Sequence, residues 1–497
     1  MKQSQRIAKN TAFGIFAAVM GGGLQFVSVL IVARFLGVVD FGIFSYLLAF
    51  ASVFQFIADF GLSNILIREI ARRPDELERL LLGARSLMWI FTGVALLLML
   101  VILFCLPLEI EIQKLSLVMG VGYLLLLQSV SYVAVLRATE HMEYNAIGFV
   151  AHKVVLVGLL IAVLWLHGGL WGAVWCHFAA NLFQVLYYRW MVGRRFAVRK
   201  GTWFLWDLSL WIFLTLETIP LGASLGLRQI SWQLEIFLLE YLTTPFALGL
   251  FSGPYRFLMG LTLFSAVLTT PLFPMFVRLA DESREQLADA YRRSVKWFYL
   301  MALPIVAACI AWPHTIIVLL LGESFLPSVS ALRLLGLAVV PLFLSALYPI
   351  LYSTLHRTGR YLASMAGVLA GRIVLGTWLI MRMNYLGACL SVVVAESVLF
   401  FVLVADLKGL DLRLEWIRDM LRPLLPFAVM TSVLYLARHE TIPGQLIAGT
   451  IAIVAYGGLL WRLKNFSEKE IVLIQETTDF ARLYLEGLFS KRKVHSL

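Results

Sequence analysis

Lys153-Val154-Val155-Leu156 and, 219 positions later, Arg372-Ile373-Val374-Leu375 are one phrase written twice, each a cation heading an apolar run. The text around them repeats as well. Leu136-Arg137-Ala138-Thr139 returns as Leu355-His356-Arg357-Thr358 at the same spacing. After a small deletion, Leu170-Trp171-Gly172-Ala173 returns as Tyr385-Leu386-Gly387-Ala388. Earlier in the chain, Gly42-Ile43-Phe44-Ser45 returns as Gly249-Leu250-Phe251-Ser252. A single match means little, because apolar helices share composition. The order and near-constant spacing of the whole set imply an internal duplication, and so two similar units about a pseudo-twofold axis.

The surrounding composition says what those units are made of. The 497 residues are 61% hydrophobic and 14% charged, with a mean hydropathy of +0.86. Soluble chains carry about 25% charged residues, and no soluble interior accommodates this much apolar surface. Apolar stretches of about 20 residues alternate with polar loops, which predicts an all-α membrane protein of about fourteen transmembrane helices. Residues 1–200 are read as an N-lobe of six spans and 201–410 as a C-lobe of six more. Residues 411–463 form two extra C-terminal spans. Residues 464–497 are an amphipathic cytoplasmic tail, opened by the capping box Ser467-Glu468-Lys469-Glu470 and laid on an anionic leaflet.

Charge supplies the orientation. Of the 41 Lys and Arg, only Arg34, Lys114, Arg382 and Arg438 fall on the presumed outer side, and a few more fall within spans. The rest occupy the termini and alternate loops, so both termini are expected in the cytoplasm, in the cell (inner) membrane. The net charge of +11 then needs no nucleic-acid partner. Cys105, Cys176, Cys309 and Cys389 sit in apolar spans without CxxC or metal-ligand spacing, and are read as core residues. There is no GxxxxGK[ST] loop and no dinucleotide fingerprint. External connections such as His167-Gly168-Gly169 are too short to carry the carboxylates of a membrane glycosyltransferase. The chain is therefore expected to be neither an enzyme nor a holder of a metal or cofactor.

Five cations lie inside spans: Lys153, Arg228, Arg256, Arg333 and Arg372. Each costs about 2.5–3.5 kcal/mol at a span centre, so cations kept there face a bundle interior or a watery cavity. Such a cavity attracts anions. Lys153, Arg228, Arg372 and Arg256 are the candidate ligand cations, whereas Arg333 is near a span end, where it can snorkel. Span seven adds a stripe of Glu217, Ser224, Arg228, Ser231 and Glu235, within about 60° of one another at helical spacing. Span six shows His177, Asn181, Gln184 and Tyr188 on one face, read equally as cavity wall or as interhelical hydrogen bonding. Prolines crowd spans seven to ten, from Pro220 to Pro349, so kinks are expected in the second lobe.

The first two spans carry Ala33-Arg34-Phe35-Leu36-Gly37, then Asp40-Phe41-Gly42-Ile43-Phe44, then Asp59-Phe60-Gly61-Leu62. This opening resembles the polysaccharide flippases of the multidrug/oligosaccharidyl-lipid/polysaccharide exporter superfamily. The resemblance implies transport of polyprenyl-diphosphate-linked oligosaccharide from the cytoplasmic to the outer leaflet, by alternating access. It also implies work alongside glycosyltransferases and a polysaccharide polymerase, with H⁺ or Na⁺ coupling as an option. Arg34, Asp40, Asp59, Glu217, Glu235 and Glu396 are the gate or coupling candidates. Tyr188, Trp171, Trp175 and Trp232 are candidates for sugar stacking, and the lipid tail would run along spans thirteen and fourteen. The alternatives are a lipid II flippase and a cation-coupled multidrug exporter of the same superfamily.

Overall fold

A computed structural model describes residues 3–195, 204–406, 419–463 and 465. Within these every regular element is helical. In chain order they are α1 (Gln3–Asp59), α2 (Leu62–Arg72), α3 (Leu77–Cys105), α4 (Ile110–Ala138), α5 (Met142–Trp165), α6 (Gly169–Arg195), α7 (Leu208–Leu242), α8 (Pro245–Glu282), α9 (Arg284–Ala311) and α10 (Pro313–Leu320). There follow α11 (Val329–Leu337), α12 (Val339–Ser345), α13 (Tyr348–Thr354), α14 (Thr358–Met383), α15 (Tyr385–Asp406), α16 (Leu424–Leu436) and α17 (Ile442–Arg462). The amphipathic tail expected over 464–497 lies outside the described residues, Asn465 excepted.

Nine of the described helices are long and apolar enough to cross a membrane, or up to eleven when each sharply bent pair counts as one span. The expected fourteen is not reached by this measure, for two physical reasons. Helix α1 has 57 residues, about 85 Å at 1.5 Å per residue, far more than one hydrocarbon thickness. It is interrupted at Gly37, whose φ of 74° is left-handed and suits a residue without Cβ. The apolar stretch through α1 nevertheless counts once. Helix α6 has spanning length, 27 residues, but its polar face dilutes its hydropathy.

The bends fall partly where prolines predict them. Segments 208–219 and 221–242 of α7 meet at 52°, at the position of Pro220, and 323–337 meets 339–354 at 41°. The break in the first half is at a glycine instead.

Helices α1, α4, α5 and α6 pack together as a first bundle, and α7, α8, α14 and α15 belong to a second. The repeat appears in space where α1 crosses α8. A Cβ on Gly42 would meet Pro245 O and the backbone of Gly249, and a Cβ on Gly249 would meet Val38 O. Each glycine thus touches its repeat-mate's strand of text at the equivalent position four residues earlier, the self-complementary contact a twofold axis produces. Phe41 and Phe325 seal the same end, rings 5.6 Å apart. Helices α16 and α17 stand apart on α9, where Trp312 Nε1 donates to Leu434 O at 2.7 Å and Tyr456 OH to Leu300 O at 3.0 Å. Cys176, Cys309 and Cys389 are buried as expected, but Cys105, at the last turn of α3, is exposed.

Candidate functional site

The two repeat-related cations find partners on the first helix of their own half, and the partners differ. In the second bundle, Arg372 of α14 grips Glu235 of α7 with both prongs, Nε–Oε1 and Nη2–Oε2 each at 2.6 Å. Its Nη1 donates to Ser231 at 3.0 Å and lies 3.8 Å from Glu396 of α15. Ser391 donates to Glu235 Oε1 at 3.1 Å. Arg372 is 4% and Glu235 1% exposed, so this is a dry, bidentate pair whose charges cancel. In the first bundle, Lys153 of α5 donates to Gln25 of α1 at 2.5 Å. The partner is a neutral amide. The geometry repeats while the partner's charge does not: Lys153 meets a neutral amide and Arg372 a carboxylate.

A second cation reaches the same region from the other half. Arg256 of α8 donates through Nη2 to Ser45 O of α1 at 3.5 Å, and its buried Nε has no protein partner. Lys153 and Arg256 both lie within electrostatic range of His177. His177 is held between Phe44, at 5.4 Å, and Tyr123, at 6.5 Å. Arg228 of α7 is half-buried and rests on the face of Trp232, 4.7 Å from its centroid. Cation–π contact of this kind holds a guanidinium without neutralising it.

The remaining sequence candidates disperse. Arg34 caps the C-terminal end of α10, donating to the carbonyls of Leu319 and Leu320, which ties α1 to the sealed end of the seam. Asp40, half-buried, is near Glu111 at that end. Asp59 accepts from Ser63 N at 3.2 Å and Ser63 Oγ at 3.0 Å, stapling the turn from α1 into α2. Glu217 pairs with Arg68 of α2 at 2.7 Å, so the span-seven stripe divides. Its lower end faces α2 and its upper end faces α14. Arg333 is exposed on α11, as a peripheral cation should be. Tyr188 is fully buried with its hydroxyl on Asn145 O at 2.9 Å, which removes it as a sugar-stacking surface. The span-six stripe is hydrogen-bonded glue in part, since Asn181 binds His152 of α5 at 3.1 Å.

Comparison with known proteins places this geometry. A family model described as polysaccharide biosynthesis protein matches residues 7–280, more than half of the chain. The chain belongs to the polysaccharide biosynthesis protein family. Its fold is similar to that of the lipid II flippase MurJ in an inward closed conformation, with a TM-score of 0.70 at 11% identity over 92% of this chain and 99% of that one. It is similar also to an inward-facing multidrug resistance MATE family transporter of the MOP superfamily, with a TM-score of 0.62 at 16% identity over 78% and 94%. The eukaryotic MATE transporter AtDTX14 aligns with a TM-score of 0.57 at 16% identity over 81% and 96%. No curated protein sequence matches. These likenesses show the fold, and with its long apolar helices this chain is a multi-pass membrane protein of the polysaccharide biosynthesis family.

Within this family member, sequence reasoning placed Gln25 and Ser45 on polar stripes of the first two spans but did not pair them with Lys153 and Arg256. Neither is ionisable, so neither registers in a search for charge. The signal was available in the repeat, because aligning Lys153 with Arg372 asks what faces each of them.

Proposed function

We propose that the protein flips a polyprenyl-diphosphate-linked oligosaccharide from the cytoplasmic to the outer leaflet of the inner membrane, for cell-surface polysaccharide assembly. The observation carrying this reading is the unbalanced charge of Lys153, set against a neutral Gln25, with Arg256 reaching the same region across the seam. A diphosphate presents about two negative charges, and a carboxylate at residue 25 would have cancelled the attraction. Lys153, Arg256 and Arg228 are the headgroup cations of this reading. Arg372 orients α7 against α14 through Glu235 and does not itself bind cargo. Trp232 offers a ring beside Arg228 for a sugar face.

The seam sealed at Gly42 and Gly249 leaves entry to the opposite end, which the basic loops assign to the cytoplasm. Exchange of the sealed end between the two bundles then gives alternating access. A negative interior favours outward movement of the anion by about 2.3 kcal/mol per charge per 100 mV. If H⁺ or Na⁺ is coupled, Glu396 is the carrier of this reading, because Arg372 is already matched by Glu235. The test is translocation of a fluorescent undecaprenyl-diphosphate-linked glycan in proteoliposomes. Lys153→Met with Arg256→Met should abolish it in a protein that still folds, and unchanged flipping would refute the assignment. Flipping of lipid II, or export of a cationic drug, with no response to the linked glycan would move the chain to one of the sibling functions.

A further inference from the structure

A cavity of about 410 Å³ lies between α14 and α15. Gly367, Gly371 and Leu375 form one wall and Ala395, Val398 and Val402 the other. Both helices qualify as membrane spans, and Leu375, Val398 and Val402 are more than a third exposed, so the slot opens towards hydrocarbon. Its polar end is Arg372 and Ser391. Since Arg372 is matched by Glu235, the slot presents no free charge to an occupant.

The repeat supplies an internal control. Gly367 corresponds to Gly148, Gly371 to His152 and Val402 to Tyr187, by the offsets that align the two halves. In the first bundle this space is plugged: a Cβ on Gly148 would meet the rings of Tyr187 and Tyr188, and His152 is bonded to Asn181. In the second bundle a Cβ on Gly367 or on Gly371 would meet nothing within 4 Å. Histidine has become glycine and tyrosine has become valine at matched positions, so one copy of the slot is filled by the protein and the other is left open.

We infer that this α14–α15 slot holds the isoprene units that follow the first in the cargo's prenyl chain, while its diphosphate lies between the bundles. The inference rests on the function proposed above. The occupant must be uncharged, because the slot offers no free charge, and it must arrive from the hydrocarbon. It is a branched chain because the two glycine notches, one helical turn apart at about 6 Å, suit methyl groups recurring along a polyprenyl backbone. The slot begins beside the node that Arg228 adjoins through Glu396, so head and tail are reached by one molecule.

The test uses the full chain in phosphatidylcholine nanodiscs with three probes: dimethylallyl diphosphate, farnesyl diphosphate and straight-chain dodecyl diphosphate. The two variants are Val402→Tyr and Gly371→His, each introducing the residue the first bundle already accommodates there. The wild type should bind farnesyl at least about tenfold tighter than dimethylallyl diphosphate, from apolar burial. Either variant should erase that gain and keep dimethylallyl diphosphate at the wild-type level, which reports an intact headgroup site. Overturning results are a farnesyl preference that survives both substitutions, or dodecyl diphosphate matching farnesyl and losing equally, which makes the slot a site for ordinary acyl chains. Binding of dimethylallyl diphosphate with no gain for farnesyl overturns the slot alone. A wild type that binds no diphosphate removes the flippase reading and the slot with it.

Discussion

Changing Gln25 to Glu converts the first bundle's pair into the kind found in the second, leaving Lys153 untouched. The amide oxygen is 2.5 Å from Nζ, so a carboxylate there forms a buried ion pair with little rearrangement. The protein should stay folded, with a melting temperature equal to or above that of the wild type, because the pair is complete on both sides. Anion binding should not survive so well. A unit charge about 4 Å from a phosphate is worth about 4 kcal/mol at an effective dielectric of about 20. Water in an open cavity screens roughly a third to two thirds of this, leaving a loss of about tenfold to hundredfold in affinity. Isothermal titration with farnesyl diphosphate, at fixed ionic strength, reads the change directly. A folded Gln25→Glu protein that binds within about threefold of the wild type would refute the view that an uncompensated Lys153 attracts the cargo.

Three other outcomes follow from the same geometry. Arg372→Met leaves Glu235 buried and unmatched and should cost about 3–5 kcal/mol, while the double change Arg372→Met with Glu235→Leu should recover most of it; thermal unfolding in detergent measures both, and equal losses would contradict a closed pair. Gly249→Ala sets a methyl against Val38 O and should cost about 1–3 kcal/mol by overpacking. It should also bias the seam open, so that a cysteine placed at the buried Val38 gains maleimide reactivity. Outside the spans, Asp207 is held down to about 2 by Ser209, the Leu210 amide and Arg79. Its folded pKa lies below the ordinary aspartate value of 3.8, so its contribution is complete above about 4 and is lost as pH falls from there through about 2. The Arg79–Asp207 contact at 2.7 Å should therefore persist at pH 3, as carboxylate infrared bands can show.

Much of this protein is legible in one dimension because the bilayer imposes one-dimensional rules. Hydropathy declares spans residue by residue, loop charge sets an expected sidedness, and the duplicated text around Lys153 and Arg372 declares the pseudo-symmetry. The count of spans was less secure, since a crossing is marked by backbone geometry as well as composition. The Gly37 break inside α1 and the polar face of α6 are two ways the hydropathy signal departs from the helices. Span seven shows the same limit for function. Its stripe was visible by periodicity, yet Glu217 turned to Arg68 while Glu235 turned to Arg372, because α7 bends by 52° and packs its ends on different neighbours.

The sequence by itself determined that the chain lives in a membrane, that it is built twice, and that each copy keeps a cation at the same depth. Only the tertiary structure decided that one of those cations is cancelled and the other is not. Partner choice depends on which helix lies opposite, and Gln25 and Glu235 are each more than a hundred residues from the cation they meet. Charge is a property of the residue, but free charge is a property of the neighbourhood.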